Sequence, residues 1–343
     1  MYLGPQAVPG APEAIRELRG AGIPVTYATN NASRRASEIA AHLQGLGIPA
    51  QPEDVLTSAQ ATAELLALDL PAGAAVLVVG ASALADELAA VGLRPVSQAE
   101  DRPVAVVQGY GPMVGWTALA EACVAIRAGA RWVATNLDAT LPSPRGPLPG
   151  NGSLVAALAA ALGGRMPDTV VGKPETELFR LAARQRQATR VLVVGDRLDT
   201  EVEGAVRAGM DSLLVLTGVT TPAELLAAAP HCRPTHVGAD CSALSMPDGA
   251  SRVPTWHGGA ALAGGWRVTR DDHHLVLGLE ATAQEPQPLA ALRALARGAW
   301  EDPQWTTIRA DATIARDALR ALALDRFAPF PARRHEPTRV VGA

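Results

Sequence analysis

Lysine is nearly missing from this 343-residue chain: among 30 Lys plus Arg, Lys173 is the only lysine. Aromatic side chains are scarce as well, at 3%, so buried cores must be filled by Ala, Val and Leu. The three cysteines, Cys123, Cys232 and Cys241, are odd in number and have no CxxC spacing. That argues against a disulfide framework and against a zinc site, and for a reducing compartment. Charged residues make up 19% and the net charge is −4, which leaves no electrostatic case for nucleic acid as a partner. No apolar run reaches the roughly 18 residues of a membrane span, and the N-terminus lacks a basic-then-apolar signal. A soluble cytoplasmic protein with no membrane partner is expected.

What is present is ample apolar material, 48% of the residues, in a chain long enough for two or three domains. The stretch Val170–Met210 organises it. Gly172-Lys173-Pro174 forms a turn ahead of an amphipathic run, Glu175 to Gln187. Gly195-Asp196-Arg197-Leu198-Asp199-Thr200-Glu201 follows the apolar run Val191 to Val194. A buried parallel strand ending in Gly-Asp puts a carboxylate at the strand's carboxyl end, where open α/β sheets bind ligands. A lysine that survives a strong arginine bias points to work needing a compact ammonium rather than a planar guanidinium.

Along the chain, short apolar runs alternate with helical periodicity. Helices are expected at Pro12 to Arg19, Ser33 to Leu46 (capped by Ser33 or Asn31) and Ala59 to Leu68, with a strand from Ile23 to Ala28. A separate βαβ layer runs through strands Ala75 to Val79, Val104 to Gln108 and Trp132 to Thr135. Polar loops follow at Asn136–Pro142 and Pro149–Ser153. Beyond about Asp240 the character changes. Met246 to Pro254 reads as a linker, a hairpin pairs Trp266 to Thr269 with His274 to Leu279, and helices follow at Pro288 to Trp300 and Thr313 to Leu324. Trp256, Trp266, Trp300 and Trp305 read as core or interface, and adjacent His273 and His274 are poor metal geometry.

Three loops at strand ends together supply what phosphoryl transfer requires. Thr29-Asn30 offers a hydroxyl and amides, Lys173 an ammonium, and Asp196 a carboxylate for a hard cation such as Mg²⁺. Read alone, Thr29 to Asn31 is more simply a helix cap and turn.

The order of these motifs resembles the haloacid dehalogenase (HAD) superfamily, class IIA, the nitrophenylphosphatase and phosphoglycolate or glycerol-phosphate phosphatase group. Tyr2-Leu3-Gly4, YATNNASR at Tyr27, VGKPE at Val171 and GDRLDTEV at Gly195 fit that class in order, over residues 1 to about 240. TNLDATLP at Thr135 and PGNGSLVAAL at Pro149 look like its cap insertion. The resemblance implies a Mg²⁺-dependent phosphatase for a small phosphorylated metabolite, with Thr29 and Asn30 on phosphate, Lys173 steadying nucleophile and phosphate, and Asp196 on the metal. Glu201 fills the second acidic position behind the metal, Asp199 is a lesser candidate ligand, and the loops at Asn136, Asp138 and Asn151 would reach over the site and choose the substrate. The implied fold is α/β: a Rossmann-like parallel-sheet core from 1–58 plus 172–240 and an inserted α/β cap at 59–171. A small α+β domain at 246–326 is similar in position and size to a GNAT-like (N-acetyltransferase-like) domain, and 327–343 is an expected disordered tail. Without a Q/R-x-x-G-x-G/A loop, acetyl transfer is not expected. A homo-oligomer is left open.

The family opens with a strand ending Asp-x-Asp-Gly-Val directly before Tyr-Leu-Gly, its first aspartate being the nucleophile and its second the general acid. The chain as written starts one residue before Tyr2 and has neither. The expected reason is a mis-set start, a GTG valine codon taken as Met; the rival is a phosphate-binding paralogue without turnover. Translating the DNA in frame upstream of Met1 should yield a hydrophobic strand and Asp-x-Asp-Gly. An in-frame stop with no such motif would end the mis-set start reading.

Overall fold

The computed structural model describes residues 2–3, 6–143, 145–247, 249–280, 286–302 and 304–326. The expected disordered tail, Phe327 to Ala343, lies outside them. The inserted layer is a five-stranded parallel sheet in the order Thr169–Val170, Arg131–Ala134, Ala105–Gln108, Ala75–Val79, Arg94–Val96. Its central strands, such as Ala75–Val79, are apolar runs because both of their faces are covered. Val76, Val107 and Val133 point to one face, against Leu66, Leu84 and Leu88. Leu77, Val106 and Trp132 point to the other, against Ile126, Val155 and Leu158. Trp132 is fully buried, and its indole N–H donates to Gln108 Oε1 at 3.1 Å.

The other parallel sheet is in two pieces. Tyr27–Thr29 pairs with Val55–Thr57, while Leu192–Gly195 pairs with Asp211–Val215, which pairs with His236–Gly238. Among the described residues no ladder joins the two pieces. One helix, Glu177–Gln185, nevertheless packs on both. Its Leu178 and Leu181 meet the cluster of Leu56 and Ala28, and its Phe179 meets Val193 and Ala205. The strand expected at Ile23 to Ala28 is therefore shorter, Tyr27–Thr29. Only three residues of Val55–Thr57 offer it a partner, Pro24 has no N–H to give, and Ile23 is exposed.

Two further expectations are corrected. Neither Asn31 nor Ser33 caps the following helix, which is Ala36–Gly45 with Arg35 at the cap and no side-chain bond there. Asn31 Oδ1 instead accepts from the N–H groups of Ser33 (2.9 Å) and Arg34 (3.0 Å), closing a turn one step earlier. The supposed linker is bolted to the core. Val237 N–H donates to Ser251 O at 2.8 Å and Val253 N–H to Thr235 O at 2.9 Å, because that sheet edge has backbone groups to satisfy.

The C-terminal sheet runs Trp256–His257, Ala260–Ala263, Trp266–Asp271, His274–Leu279 as antiparallel neighbours, then Thr307–Ala310 parallel to the last. Helix Pro288–Glu301 covers it. Its apolar face joins Trp266, Val268 and Leu275 to Leu214, Leu225 and Val237 of the core in one cluster. Trp300 Nε1 donates to Leu225 O at 3.0 Å across this junction.

The helices Glu177–Gln185 and Glu203–Ala208 meet closely at Gly204. A Cβ there would lie 2.4 Å from Phe179 Cε2 and 3.0 Å from Pro174 O. Helix propensity favours Ala over Gly by about 1 kcal/mol, whereas overpacking costs roughly 1–3 kcal/mol. The Pro174 carbonyl blocks retreat from the ring, so Gly204→Ala should lose up to about 2 kcal/mol net in equilibrium denaturation. A stability equal to wild type would mean that the buried Phe179 ring moves aside freely.

Candidate active site

Asn30, one residue past the Tyr27–Thr29 strand, ties three segments together. Its Oδ1 accepts from Lys173 N–H at 2.7 Å, and its Nδ2 donates to Lys173 O at 3.0 Å. The same Nδ2 lies 3.1 Å and 3.2 Å from the two Asp138 oxygens. Its backbone oxygen accepts from Ser58 Oγ at 2.7 Å and Asn136 Nδ2 at 2.8 Å. Gly172 is glycine for a spatial reason: a Cβ would come within 2.6 Å of Thr135 O and 2.7 Å of Asn30 Oδ1. The Lys173 turn is thus held against both the core strand end and the inserted layer.

The ammonium of Lys173 donates to Glu201 Oε1 at 2.6 Å and to Ala28 O at 3.1 Å. Glu201 reaches it through the wide turn Leu198–Val202, closed by Val202 N–H to Arg197 O at 3.2 Å. Its side chain crosses Gly195, where a Cβ would fall 2.2 Å from Glu201 Cγ. Thr200 Oγ1 donates to Glu201 Oε2 at 2.6 Å. Burial pushes the Glu201 carboxyl up, but Lys173 and the hydrogen bonds outweigh it and hold it below its ordinary 4.5. Glu201 therefore serves the ammonium and stands as an anion here.

Asp196 sits at the end of the Leu192–Gly195 strand. Its Oδ2 accepts from Val219 N–H at 3.0 Å, and its carbonyl from Thr220 N–H at 3.1 Å. The backbone approach is tight: a Cβ on Gly218 would lie 1.9 Å from Asp196 Oδ2. Arg197 turns away and grips Asp199 through two bonds, 2.9 Å and 2.8 Å. Asp196 is thus an oriented carboxylate that its neighbouring cation leaves free for a hard metal ion.

The structure gives several of the sequence candidates other work. Asp199 is an exposed partner of Arg197, a surface ion pair rather than a metal ligand. Asn30 has its carboxamide committed to Lys173 and Asp138, so any phosphate contact falls to the Thr29 hydroxyl and nearby backbone amides. The Thr29 hydroxyl oxygen already accepts from Asn31 N–H at 3.2 Å. Asn136 and Asn151 are buried and do not reach over the site. Asn151 Nδ2 donates to Gln108 O at 3.2 Å and Asn136 O at 2.8 Å, because buried loop carbonyls need donors. Asp138 alone of that loop group bonds the Asn30 carboxamide that clamps Lys173. Desolvation, only partly offset by Asn30 and Lys173, raises its carboxyl above the ordinary 3.8. Sequence reasoning missed Ser58 and the Gly218–Val219 clasp; Thr217-Gly218 at a strand end was the available signal for the latter.

A family profile described as haloacid dehalogenase-like hydrolase matches residues 1–94, and a related HAD-hydrolase-like profile matches 170–244. A GCN5-related N-acetyltransferase-like domain profile matches 263–324. The chain is 48% identical to a D-glycerol 3-phosphate phosphatase of Mycobacterium tuberculosis, across 88% of this chain and 83% of that protein. It is 36% identical to an acid sugar phosphatase of Staphylococcus saprophyticus, across 66% and 86%. Among solved structures, a glycerol phosphate phosphatase from Mycobacterium tuberculosis in complex with magnesium superimposes with a TM-score of 0.86 at 45% identity, covering 94% of each chain. A p-nitrophenyl phosphatase from Archaeoglobus fulgidus gives 0.64 at 30% identity, covering 69% of this chain and 92% of that one.

The raised carboxyl of Asp138 has a pH signature. A group whose folded pKa exceeds its unfolded one favours folding below the unfolded value, near 3.8, and that contribution is lost as pH rises through the folded value. Asp138→Asn keeps an acceptor for Asn30 and removes the titration. Its stability relative to wild type should therefore grow as pH rises through that window and then level off. Denaturation midpoints across pH 3 to 7 read this directly; a difference that stays flat would show that Asp138 titrates normally.

Proposed function

This chain belongs to the haloacid dehalogenase-like hydrolases and is a phosphatase by family, and from that premise we propose that it hydrolyses a small phosphate monoester, of the glycerol phosphate class, with Mg²⁺. The observation that carries the reading is the Lys173–Glu201 pair, bonded to Ala28 O at the end of one half-sheet and crossing Gly195, the neighbour of Asp196, at the end of the other, with one helix packed on both pieces and no ladder between them among the described residues. A strand carrying the Asp-x-Asp pair, seated between Tyr27–Thr29 and Leu192–Gly195, would complete that sheet and bring a nucleophilic carboxylate beside the ammonium.

The residues present fit Mg²⁺ as one anchor. Asp196 is a hard oxygen donor with fixed orientation, and this ion is commonly held by one or two carboxylates plus phosphate and water. When bound, the ion would supply charge neutralisation for the phosphate oxygens. Lys173 does the remaining electrostatic work on this chain's side. Its ammonium is fixed by Glu201 and Ala28 O, so it is in place before charge develops and need not reorganise. The Thr29 hydroxyl, whose oxygen accepts from Asn31 N–H, keeps its own O–H to donate to the phosphate. Asp138, at the mouth of the Lys173 turn, is placed to accept from hydroxyl groups of a polyol ester. The relatives that act on glycerol phosphate and sugar phosphates support that substrate class.

Release of inorganic phosphate from glycerol 3-phosphate and from p-nitrophenyl phosphate tests the proposal. Protein with the Asp-x-Asp strand ahead of Tyr2 should turn over with Mg²⁺ and stop with a chelator. Residues 1–343 alone should show nothing above background, and real turnover by them would place the nucleophile elsewhere. In the competent enzyme, Lys173→Ala should lower kcat by about 10²-fold, equivalent to roughly 3 kcal/mol of electrostatic stabilisation. Lys173→Arg should recover only part, since a longer planar group misplaces the charge. Wild-type kcat in the alanine variant would make Lys173 a chance survivor of arginine bias.

A further inference from the structure

Behind the candidate active site, three side chains of different chemistry converge. Glu203 opens the helix Glu203–Ala208, and His231 and Cys232 share the short turn Pro230–Cys232. One ligand atom from each lies within 4.8 Å of the others. Cys232 Sγ stands 3.7 Å from Glu203 Oε2. The other carboxylate oxygen, Oε1, is held by Arg207, which also bonds Glu175 Oε1 at 2.8 Å.

We propose that Glu203, His231 and Cys232 form a second metal site, separate from the phosphatase centre, that takes a borderline-soft divalent cation of the zinc class. The donor set decides the class of ion. One thiolate, one imidazole and one carboxylate suit zinc, whereas Mg²⁺ asks for oxygen alone. Bond lengths of 2.0–2.3 Å in a tetrahedral shell put ligand atoms roughly 3.3–3.8 Å apart. The cluster therefore needs to close by about an ångström, which the exposed His231 can supply by rotation. Three protein ligands leave the fourth position to water, as in open zinc sites. Arg207 on Glu203 Oε1 is the kind of outer partner that fixes a ligating carboxylate's orientation. Coordination replaces the Cys232 thiol proton, which leaves to solvent.

Other chemistry at this cysteine is disfavoured. Burial and the neighbouring Glu203 push its thiol up to about 11, so it is a poor nucleophile and a poor redox sensor. The sequence argument against zinc rested on cysteine pairs, and a site with a single cysteine escapes it. The site shares no ligand with the residues proposed for phosphate hydrolysis, so either reading can fail without the other.

Titrating the full chain, stripped of metal, with Co²⁺ as a spectroscopic stand-in for zinc tests this. A thiolate-to-cobalt charge-transfer band should grow to one equivalent, vanish on adding Zn²⁺, and persist in excess Mg²⁺. Cys232→Ser should abolish the band, while Cys123→Ser and Cys241→Ser keep it. His231→Ala, at an exposed position that cannot unfold the chain, should weaken cobalt binding at least tenfold. No band in wild type, a band that survives Cys232→Ser, or unchanged affinity in His231→Ala would overturn the proposal.

Discussion

One carboxamide holds the site together. Asn30 offers an acceptor and a donor on a single rigid group, and it uses them on the N–H and C=O of the same residue, Lys173. This copies the paired hydrogen bonds of a β-bridge with a side chain in place of a strand. Aspartate has no donor, and glutamine is one carbon too long to serve in the same place. Each such bond contributes only about 0.5–1.5 kcal/mol net. Their larger effect is positional, because they join residues 143 apart in sequence, and the bonds to Asp138 join residues 108 apart. The tight glycines, Gly172 and Gly195, then follow as the places where backbone or a crossing side chain must pass without a Cβ.

The ion pair that this clamp positions is mostly buried, with side-chain exposures of 12% for Lys173 and 15% for Glu201. Burying two charges costs about what their attraction returns, so such a pair is weak evidence for stability. Its value lies in fixing an ammonium at a strand end. Lysine has three donors, and Glu201 and Ala28 take two of them, leaving one for an anionic ligand. Among the described residues no ladder joins the two pieces of this sheet, and the helix Glu177–Gln185 packs on both.

The C-terminal unit is part of the same body rather than a tethered addition. Its helix Pro288–Glu301 shares an apolar cluster with Leu214, Leu225 and Val237. Arg293 on that helix is buried and donates to Val237 O at 3.2 Å, and desolvation lowers its pKa. A cation kept there with a carbonyl partner marks a junction formed by packing, since an exposed linker would have left the guanidinium in water.

Much of this was legible in the residue order. Continuous apolar runs such as Ala75–Val79 gave away a parallel sheet covered on both faces, since each side of the strand must meet a helix. Lys173 stood out against arginine, and Gly195-Asp196 after an apolar run located a carboxylate at a strand end. These are local signals, set by period and by neighbouring residues. Periodicity could not say which polar side chains of the loops face the site. Asn136 and Asn151 looked like Asp138 in sequence, yet the first two are buried on backbone carbonyls and only the third bonds the Asn30 carboxamide. Glu203, His231 and Cys232 carry no shared spacing at all. A polar side chain's task depends on which distant group lacks a hydrogen-bond partner, and only the folded chain brings that group within 3 Å.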